Sequence, residues 1–136
     1  MKYFGLMIES KFFLPCVDDM FSKEGTNVMP FIYNTYPRII NRYVKKKRTI
    51  TLKEAIERFT CNAAERIGIK DRGYLRKGCF AGIIVFDYNN FMEHPFEELT
   101  VPKHAESISY LLINGRLSIE NGINNKILAG AIIKNI

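Results

Sequence analysis

The spacing of apolar residues changes its period near Gly68, and this change limits the folds open to the chain. Before Gly68, apolar residues recur every three or four positions, which is typical of amphipathic helices. After Gly68 they form short runs separated by asparagine and glycine turns, which is typical of strands. Helices followed by a run of strands predict an α+β fold, or the junction between two domains.

Three helices are predicted before Gly68. The first begins near Pro37, because proline suits the first helical position, where a backbone N–H has no partner anyway. The second opens with Thr51-Leu-Lys-Glu54, a capping box in which each side chain satisfies the other residue's backbone N–H. The third is short, has Thr60 or Asn62 as its cap, and ends at Gly68 in the left-handed conformation.

Four or five antiparallel strands are predicted, joined by tight turns after Gly68. Asn114-Gly115 and Asn121-Gly122 are the turn signals, and the first favours a type I′ hairpin. The run at residues 81–87 predicts a buried strand because it is apolar almost throughout. The other predicted strands span residues 107–113, 116–120 and 127–133.

The start of the chain contains an apolar run, residues 12–19, that stops at Asp18 and Asp19. This pattern could be a buried strand whose carboxylates emerge at its end. Pro15 weakens the interpretation, because proline cannot donate a hydrogen bond to a strand ladder. Residues 22–30, rich in polar residues, predict a loop.

Positive charge is concentrated in one part of the chain. Residues 36–77 carry 13 Lys or Arg against 4 acids, whereas the remaining residues have a net charge of −3. Such a segment can bind nucleic acid or a membrane surface, but solvated helix faces explain it better. The run Lys45–Arg48 lacks both a nucleic-acid fold motif and the aromatic residues needed to stack bases. We therefore expect no nucleic-acid partner.

The cysteines and the hydropathy pattern predict a location in the cytoplasm. Cys16, Cys61 and Cys79 form no CxxC pair, which argues against a zinc ribbon or a redox dithiol and suits a reducing compartment. No apolar run approaches the ~20 residues that a membrane helix needs. We expect no membrane association.

Four motifs occur in a fixed order over about two thirds of the chain. They are Asn34-Thr-Tyr-Pro-Arg38, the helix pair at 51–68, the stretch Asp71-Arg-Gly-Tyr-Leu running into the strand that ends at Asp87, and Tyr110-Leu-Leu-Ile-Asn-Gly115 with its following turn. Together they resemble the C-terminal part of the N-acyl-D-amino-acid deacylases, or D-aminoacylases, a branch of the amidohydrolase superfamily. The first, for example, is similar to that family's Gly-Thr-Phe-Pro-Arg.

The resemblance implies an architecture and a catalytic residue. Residues 1–78 would be the terminal piece of a TIM-like catalytic barrel, with its last strand and three helices, and residues 79–136 would be strands of an accessory β-sandwich. In the family, an aspartate after the last barrel strand is the general base that takes a proton from the zinc-bound attacking water. Asp18 or Asp19 would have this role, and the alternative is two solvated acids in a turn.

The expected zinc ligands of the family are missing from this sequence. Such enzymes bind the metal through several histidines, beginning with a His-x-His pair, whereas this chain has only His94 and His104, and neither matches. We expect the chain to hold no metal or other cofactor, zinc belonging to the complete family enzyme. Four positions also depart from the family: Met29 and Phe31 stand where the family has the His and the Arg of His-Pro-Arg, Asn34 replaces a glycine, and Gly82 replaces an aspartate.

These observations predict a C-terminal fragment of an amidohydrolase, inactive alone. Complete family enzymes hydrolyse the linear amide of N-acyl-D-amino acids. One alternative is a complementing subunit, whose partner would be a separate N-terminal amidohydrolase portion. The other is a non-catalytic interaction module.

Overall fold

The computed structural model describes residues 2–17, 31–94 and 107–133. These residues form helices and one small antiparallel sheet, which agrees with the α+β prediction. The chain forms two compact units. The first unit comprises Met1–Ala55 and Phe91–Glu106, and the second comprises Ile56–Asn90 and Ser107–Ile136. The predicted end of a barrel piece at residue 78 stays a prediction.

The first described element is a helix, α1, over Lys2–Glu9. Its residue Ile8 is fully buried, which anchors the helix. The strand predicted at residues 12–19 is wrong for the part that the structure describes, since residues 13–17 pair with no other strand. Pro15 within this stretch has no N–H to donate to a ladder.

The second helix, α2, spans Phe31–Ile39 and continues directly into a π-helical segment, Ile40–Lys46. The predicted start near Pro37 is therefore wrong, because this proline lies inside the helix. Proline removes one backbone N–H and crowds the preceding turn, which usually widens or kinks a helix. The N–H of Lys47 then donates to the carbonyl of Arg42, five residues back, at 2.9 Å.

The third helix, α3, spans Leu52–Phe59 and begins with the predicted capping box. The N–H of Thr51 donates to Oε2 of Glu54 at 2.7 Å, and the N–H of Glu54 donates to Oγ1 of Thr51 at 3.2 Å. Both hydrogen bonds of the predicted capping box are therefore present, and this prediction is confirmed.

The fourth helix, α4, spans Cys61–Arg66 and follows α3 after a single residue. Thr60 does not cap it through its side chain, because its hydroxyl donates to the carbonyl of Ile56 at 2.7 Å. Gly68 has a φ of 81°, as predicted for the residue that ends the helix. At Gly73, a Cβ would lie 2.8 Å from the backbone of Cys61, so no larger residue fits.

The sheet has four antiparallel strands in sequence order. They are β1 (Ile83–Phe86), β2 (Ile108–Ile113), β3 (Arg116–Glu120) and β4 (Ile123–Asn124). Asn114 and Gly115, with φ values of 50° and 78°, form the predicted turn between β2 and β3. Residues 127–133 contain no strand, contrary to the prediction. The predicted burial of β1 is also wrong, because Ile84 and Val85 are 55% and 48% exposed.

Buried apolar side chains are concentrated in the first unit. Among the described residues, the second unit buries only Ala64 and Ala129 as apolar residues. The apolar core of the first unit consists of Ile8, Ile39, Ile40, Tyr43, Val44, Ile50, Ala55 and Phe91. Across the described ranges, no helix has the length and hydropathy to cross a membrane.

Candidate functional site

A cavity of about 540 Å³ lies in the first unit, next to the segment that leads to the predicted general base. Pro15, Cys16 and Val17 line one part of its wall. The predicted catalytic residues, Asp18 and Asp19, follow Val17 in sequence and lie outside the described residues. Their role as a base stays a prediction.

Three aromatic rings give this cavity an apolar wall. The ring centroids of Phe4 and Phe13 are 5.8 Å apart in an edge-to-face arrangement, and those of Phe4 and Tyr43 are 5.7 Å apart. Both spacings are favourable for aromatic pairs. The wall suits an apolar group better than a polar one.

Two arginines on the α2–π helix also line the cavity, and both bind Glu93. Arg38 Nε donates to Glu93 Oε1 at 3.1 Å. Arg42 binds both carboxylate oxygens, with Nε donating to Oε2 at 2.7 Å and Nη2 to Oε1 at 2.6 Å. This forked geometry fixes the direction of the carboxylate as well as its charge.

The two guanidinium groups change the acidity of Glu93. Burial alone would raise the pKa of Glu93, but the hydrogen bond from Arg42 and the positive charges of Arg42 and Arg38 outweigh it and lower the pKa. The same hydrogen bond raises the pKa of Arg42. Glu93 and Arg42 are therefore both charged near neutral pH.

Two buried asparagines hold the backbone on either side of Glu93. Asn34 Nδ2 donates to the carbonyl of His94 at 2.7 Å, and the N–H of His94 donates back to Asn34 Oδ1 at 3.0 Å. Asn41 Nδ2 donates to the carbonyl of Phe91 at 2.7 Å and to that of Pro37 at 3.0 Å.

Lys45 adds a further bond, its Nζ donating to the carbonyl of Phe91 at 3.1 Å. We call this arrangement the clasp; it consists of residues 91–94 and five helix residues, namely Asn34, Arg38, Asn41, Arg42 and Lys45. Their spacing places all five on one helix face.

The clasp was missed by sequence reasoning, which assigned Arg38, Arg42 and Lys45 to a solvated face. Their spacing could have indicated a shared polar partner, but nothing in the sequence identified residues 91–94 as that partner. Asn34 is the position at which the family pattern has a glycine. Here the Asn34 side chain makes two hydrogen bonds with the backbone of His94, so the replacement of the family's glycine by asparagine has a structural role.

The other three basic residues of the run Lys45–Arg48, namely Lys46, Lys47 and Arg48, are exposed. Lys47 Nζ lies 5.1 Å from the ring centroid of Tyr43, a distance suitable for a cation–π contact. The expectation that this segment binds no nucleic acid stays a prediction.

No protein-family model matches the chain. Curated relatives from Alcaligenes xylosoxydans xylosoxydans do match it. An N-acyl-D-glutamate deacylase is 29% identical over 86 residues, which is 63% of this chain and 17% of that protein. A D-aminoacylase is 31% identical over 91 residues, or 63% of this chain and 18% of that protein. The chain therefore spans less than a fifth of the length of these relatives.

Solved structures of D-aminoacylases and of an N-acyl-D-glutamate deacylase also match the chain. A D-aminoacylase described with a binuclear metal centre has a TM-score of 0.68 at 26% identity, over 76% of this chain and 22% of that chain. An N-acyl-D-glutamate deacylase from Bordetella bronchiseptica, complexed with zinc and a phosphonate inhibitor, has a TM-score of 0.61 at 25% identity, over 76% of this chain and 22% of that one.

This chain is therefore similar, in sequence and in fold, to part of the D-aminoacylase-family amidohydrolases. The resemblance predicted from its four motifs is thereby confirmed. The matched region is about a fifth of each family member, so the activity of the complete enzymes does not follow from the match alone.

Zinc, which the family implies, does not fit the residues that the structure describes in this chain. Within residues 2–17, 31–94 and 107–133, no three His, Cys, Asp or Glu side chains come together as a possible metal site. A zinc site in a protein needs three or four such ligands. The backbone of His94 belongs to the clasp, and His104 lies outside the described residues.

Proposed function

We propose that this chain is the C-terminal portion of a hydrolase that cleaves the linear amide of N-acyl-D-amino acids, and that it is inactive by itself. Its contribution to the reaction would be one carboxylate base, Asp18 or Asp19, which takes a proton from the attacking water. The metal site and most of the substrate pocket would come from a separate N-terminal amidohydrolase portion, the partner of this chain.

One observation carries the proposal. The chain matches about a fifth of the length of several deacylases in both sequence and structure. A carboxylate base without a metal centre and a formed substrate pocket has little power to activate water for amide hydrolysis. Within the described residues, no three His, Cys, Asp or Glu side chains come together as metal ligands, so the proposal assigns the metal site to the other portion.

The direct test is a deacylase assay on the purified chain with added zinc. N-acetyl-D-glutamate and N-acetyl-D-aspartate are suitable substrates, because relatives include deacylases of N-acyl-D-glutamate and N-acyl-D-aspartate. We expect no turnover by the chain alone. Detectable turnover that scales with chain concentration and survives further purification contradicts the inactivity.

The assignment of the base needs its own variants. In an active complex of the chain with its N-terminal portion, we expect either Asp18→Asn or Asp19→Asn to lower kcat by at least about a hundredfold, as loss of a general base does. The other substitution is the matched control and leaves kcat within a few-fold. Equal, small effects of both substitutions contradict the proposed role.

A non-catalytic interaction module is the second candidate. The core and clasp of the first unit favour it, because they could keep part of the chain folded without a partner. A cooperative thermal unfolding transition of the isolated chain supports this candidate, and a molten or aggregating sample argues for an incomplete hydrolase.

We also propose that the chain acts in the cytoplasm and binds neither nucleic acid nor membranes. Its basic residues are concentrated on helices, where several already contact protein groups. Salt-sensitive retention on DNA-cellulose would contradict the first of these exclusions.

A further inference from the structure

The cavity of the first unit is large enough for a small molecule. Its volume of about 540 Å³ lies within the roughly 300 to 1,000 Å³ that ligand pockets usually have. Its described wall comes from three segments, namely α1, residues 13–17 and the α2–π helix. Because these segments are separate in the sequence, the cavity is a product of the folded first unit.

Most of the wall is apolar. The rings of Phe4, Phe13 and Tyr43, which we call the aromatic cluster, are joined by the two close ring contacts described above. The other apolar lining residues are Pro15, Val17 and Ile39. An apolar group that enters the cavity displaces water from this surface, which is the usual source of affinity in such pockets.

Positive charge lies on one part of the wall. Arg38 and Arg42, about one helical turn apart, both line the cavity and both contact the carboxylate of Glu93. Arginine stays protonated in proteins, so two positive charges face one negative charge in this trio. The two arginine side chains are 26% and 36% exposed, so water screens their charge only in part.

We propose that this cavity binds an amphipathic monocarboxylate, with its apolar chain against the aromatic cluster and its carboxylate facing Arg38 and Arg42. A water molecule in the liquid takes roughly 30 Å³, so the cavity has room for a fatty acid of medium length such as decanoate. The inference goes beyond the proposed function, because such an acid has no amide bond to cleave.

The charge of the wall selects the head group. An amine of the same chain length would bring a like charge close to the two guanidinium groups, and an alcohol would lack their attraction. A carboxylate matches the planar guanidinium group, as the forked bond between Arg42 and Glu93 shows. Both arginines also make other interactions, so their charge attracts the ligand, and no empty donor position is required.

The first experiment compares three ligands on the purified full chain by isothermal titration calorimetry. We expect one decanoate to bind per chain. Decan-1-ol should bind at least about tenfold more weakly, because it has the same apolar chain and no charge. Hexanoate should also bind at least about tenfold more weakly, because its shorter chain buries less apolar surface.

Each alternative result of the titrations contradicts the proposal. Equal affinities for decanoate and decan-1-ol would remove the role of the two arginines. Equal affinities for decanoate and hexanoate would remove the role of the aromatic cluster. Undetectable binding of decanoate, or binding of many molecules per chain, would remove the site itself.

Cys16 shows where the acid binds, because this exposed residue lines the cavity. Saturating decanoate should slow alkylation of Cys16 by iodoacetamide at least about fivefold, since the bound acid blocks access to the thiol. Cys61 and Cys79 are not among the described lining residues and serve as controls in the same chain. Their alkylation rates, measured by peptide mass spectrometry, should change by less than about twofold. No protection of Cys16, or equal protection of all three thiols, overturns the proposal.

A matched pair of variants tests the cavity volume. Val17→Trp adds bulk to the cavity wall and should weaken decanoate binding at least about tenfold, because a close-packed wall leaves no room for both. Val85→Trp makes the same change on β1, away from the described wall, and should alter the affinity by less than about twofold. Equal effects of the two substitutions contradict the site. Thermal unfolding shows whether each variant folds, and the ligand series and Cys16 decide the proposal if Val17→Trp does not.

The outcomes separate this inference from the proposed function. A chain that binds decanoate in the cavity but forms no complex that cleaves N-acyl-D-amino acids supports the site and contradicts the function. An active hydrolase whose chain fails to bind decanoate supports the function and contradicts the site.

Discussion

The two units stabilise their backbones in different ways. The first unit joins residues 50 to 60 positions apart through side chains, and its helix buries Ile39 and Ile40 almost completely. The second unit relies on neighbouring strands joined by short turns, and it leaves Ile84 and Val85 of β1 about half exposed. Buried side-chain contacts therefore contribute most to the conformation of the first unit, whereas the second combines backbone pairing with a few part-buried side-chain bonds, such as that from Arg72 to Asn114.

The largest expected difference concerns the apolar core. Ile40→Ala should lower the free energy of unfolding by about 3 kcal/mol, because it leaves a cavity among buried side chains. The matched control, Ile84→Ala in β1, should change it by less than about 0.5 kcal/mol, since its side chain is half exposed. Urea titration followed by circular dichroism measures both. Equal losses would remove the contrast between the units.

Loss of a buried hydrogen-bonding group is the next largest effect. Asn41→Ala should lower the free energy of unfolding by about 2 kcal/mol, because the buried amide no longer donates to the carbonyls of Pro37 and Phe91, although the Phe91 carbonyl keeps the bond from Lys45. Asn125→Ala in the second unit removes a similar bond to the carbonyl of Leu117, but at an exposed site. We expect less than about 0.5 kcal/mol there. The same urea titrations test this pair, and a larger loss for Asn125→Ala contradicts it.

The same difference determines how much could be predicted from sequence. The capping box of Thr51 and Glu54 and the Asn114-Gly115 turn involve residues close in sequence, so their types identify the conformation. The four family motifs also identified the family. The clasp depends on residues far apart in sequence, and no local pattern connects Asn34 to His94.

Pro37 is a further example of the limits of local rules. Its preference for a helix start predicted the wrong boundary, because packing of Ile39 and Ile40 and the bond from Asn41 favour a continuous helix across it. Propensity is overridden where tertiary contacts are strong. The predicted base, Asp18 or Asp19, lies outside the described residues and stays a prediction.

The ion pairs of the clasp should have a smaller effect that depends on pH. Glu93→Gln should lower stability by about 1 to 2 kcal/mol at pH 7, because it weakens charge-assisted bonds to Arg38 and Arg42. The lowered pKa of Glu93 means that the unfolded chain binds its proton more readily than the folded one. The carboxylate therefore stabilises the fold above its ordinary pKa of 4.5, and this is lost as the pH falls through the lower folded value.

Urea titrations at pH 7 and at several pH values below 4.5 measure this effect. The difference between the unaltered chain and Glu93→Gln should shrink with acidification. Glu120→Gln, at an exposed carboxylate of the second unit, is the control and should change stability at pH 7 by less than about 0.5 kcal/mol. A difference that grows on acidification contradicts the direction of the pKa shift.

The smallest expected effect concerns a turn of the second unit. Asn121→Gly removes the acceptor of an exposed bond from Tyr110 but preserves a backbone φ of 50°, so stability should change by no more than about 0.5 kcal/mol. Asn121→Val retains a side chain but makes that φ unfavourable, and should cost about 1 to 2 kcal/mol. Thermal unfolding of the two variants shows whether the backbone or the side chain matters. The reverse order contradicts backbone control of this unit.

The long sequence separation within the clasp has a consequence for protein synthesis. Asn34 and its partner His94 are 60 residues apart, which corresponds to roughly 3 to 12 s of translation at ordinary rates. The α2–π helix therefore leaves the ribosome well before the segment that covers its polar face. During that interval the side chains of Asn34 and Asn41 lack their partners at residues 91–94 and are exposed to water. The first unit is completed only after residues 91–94 have been synthesised. Lengthening the intervening 56–90 segment would prolong this immature state without altering any contact of the finished clasp.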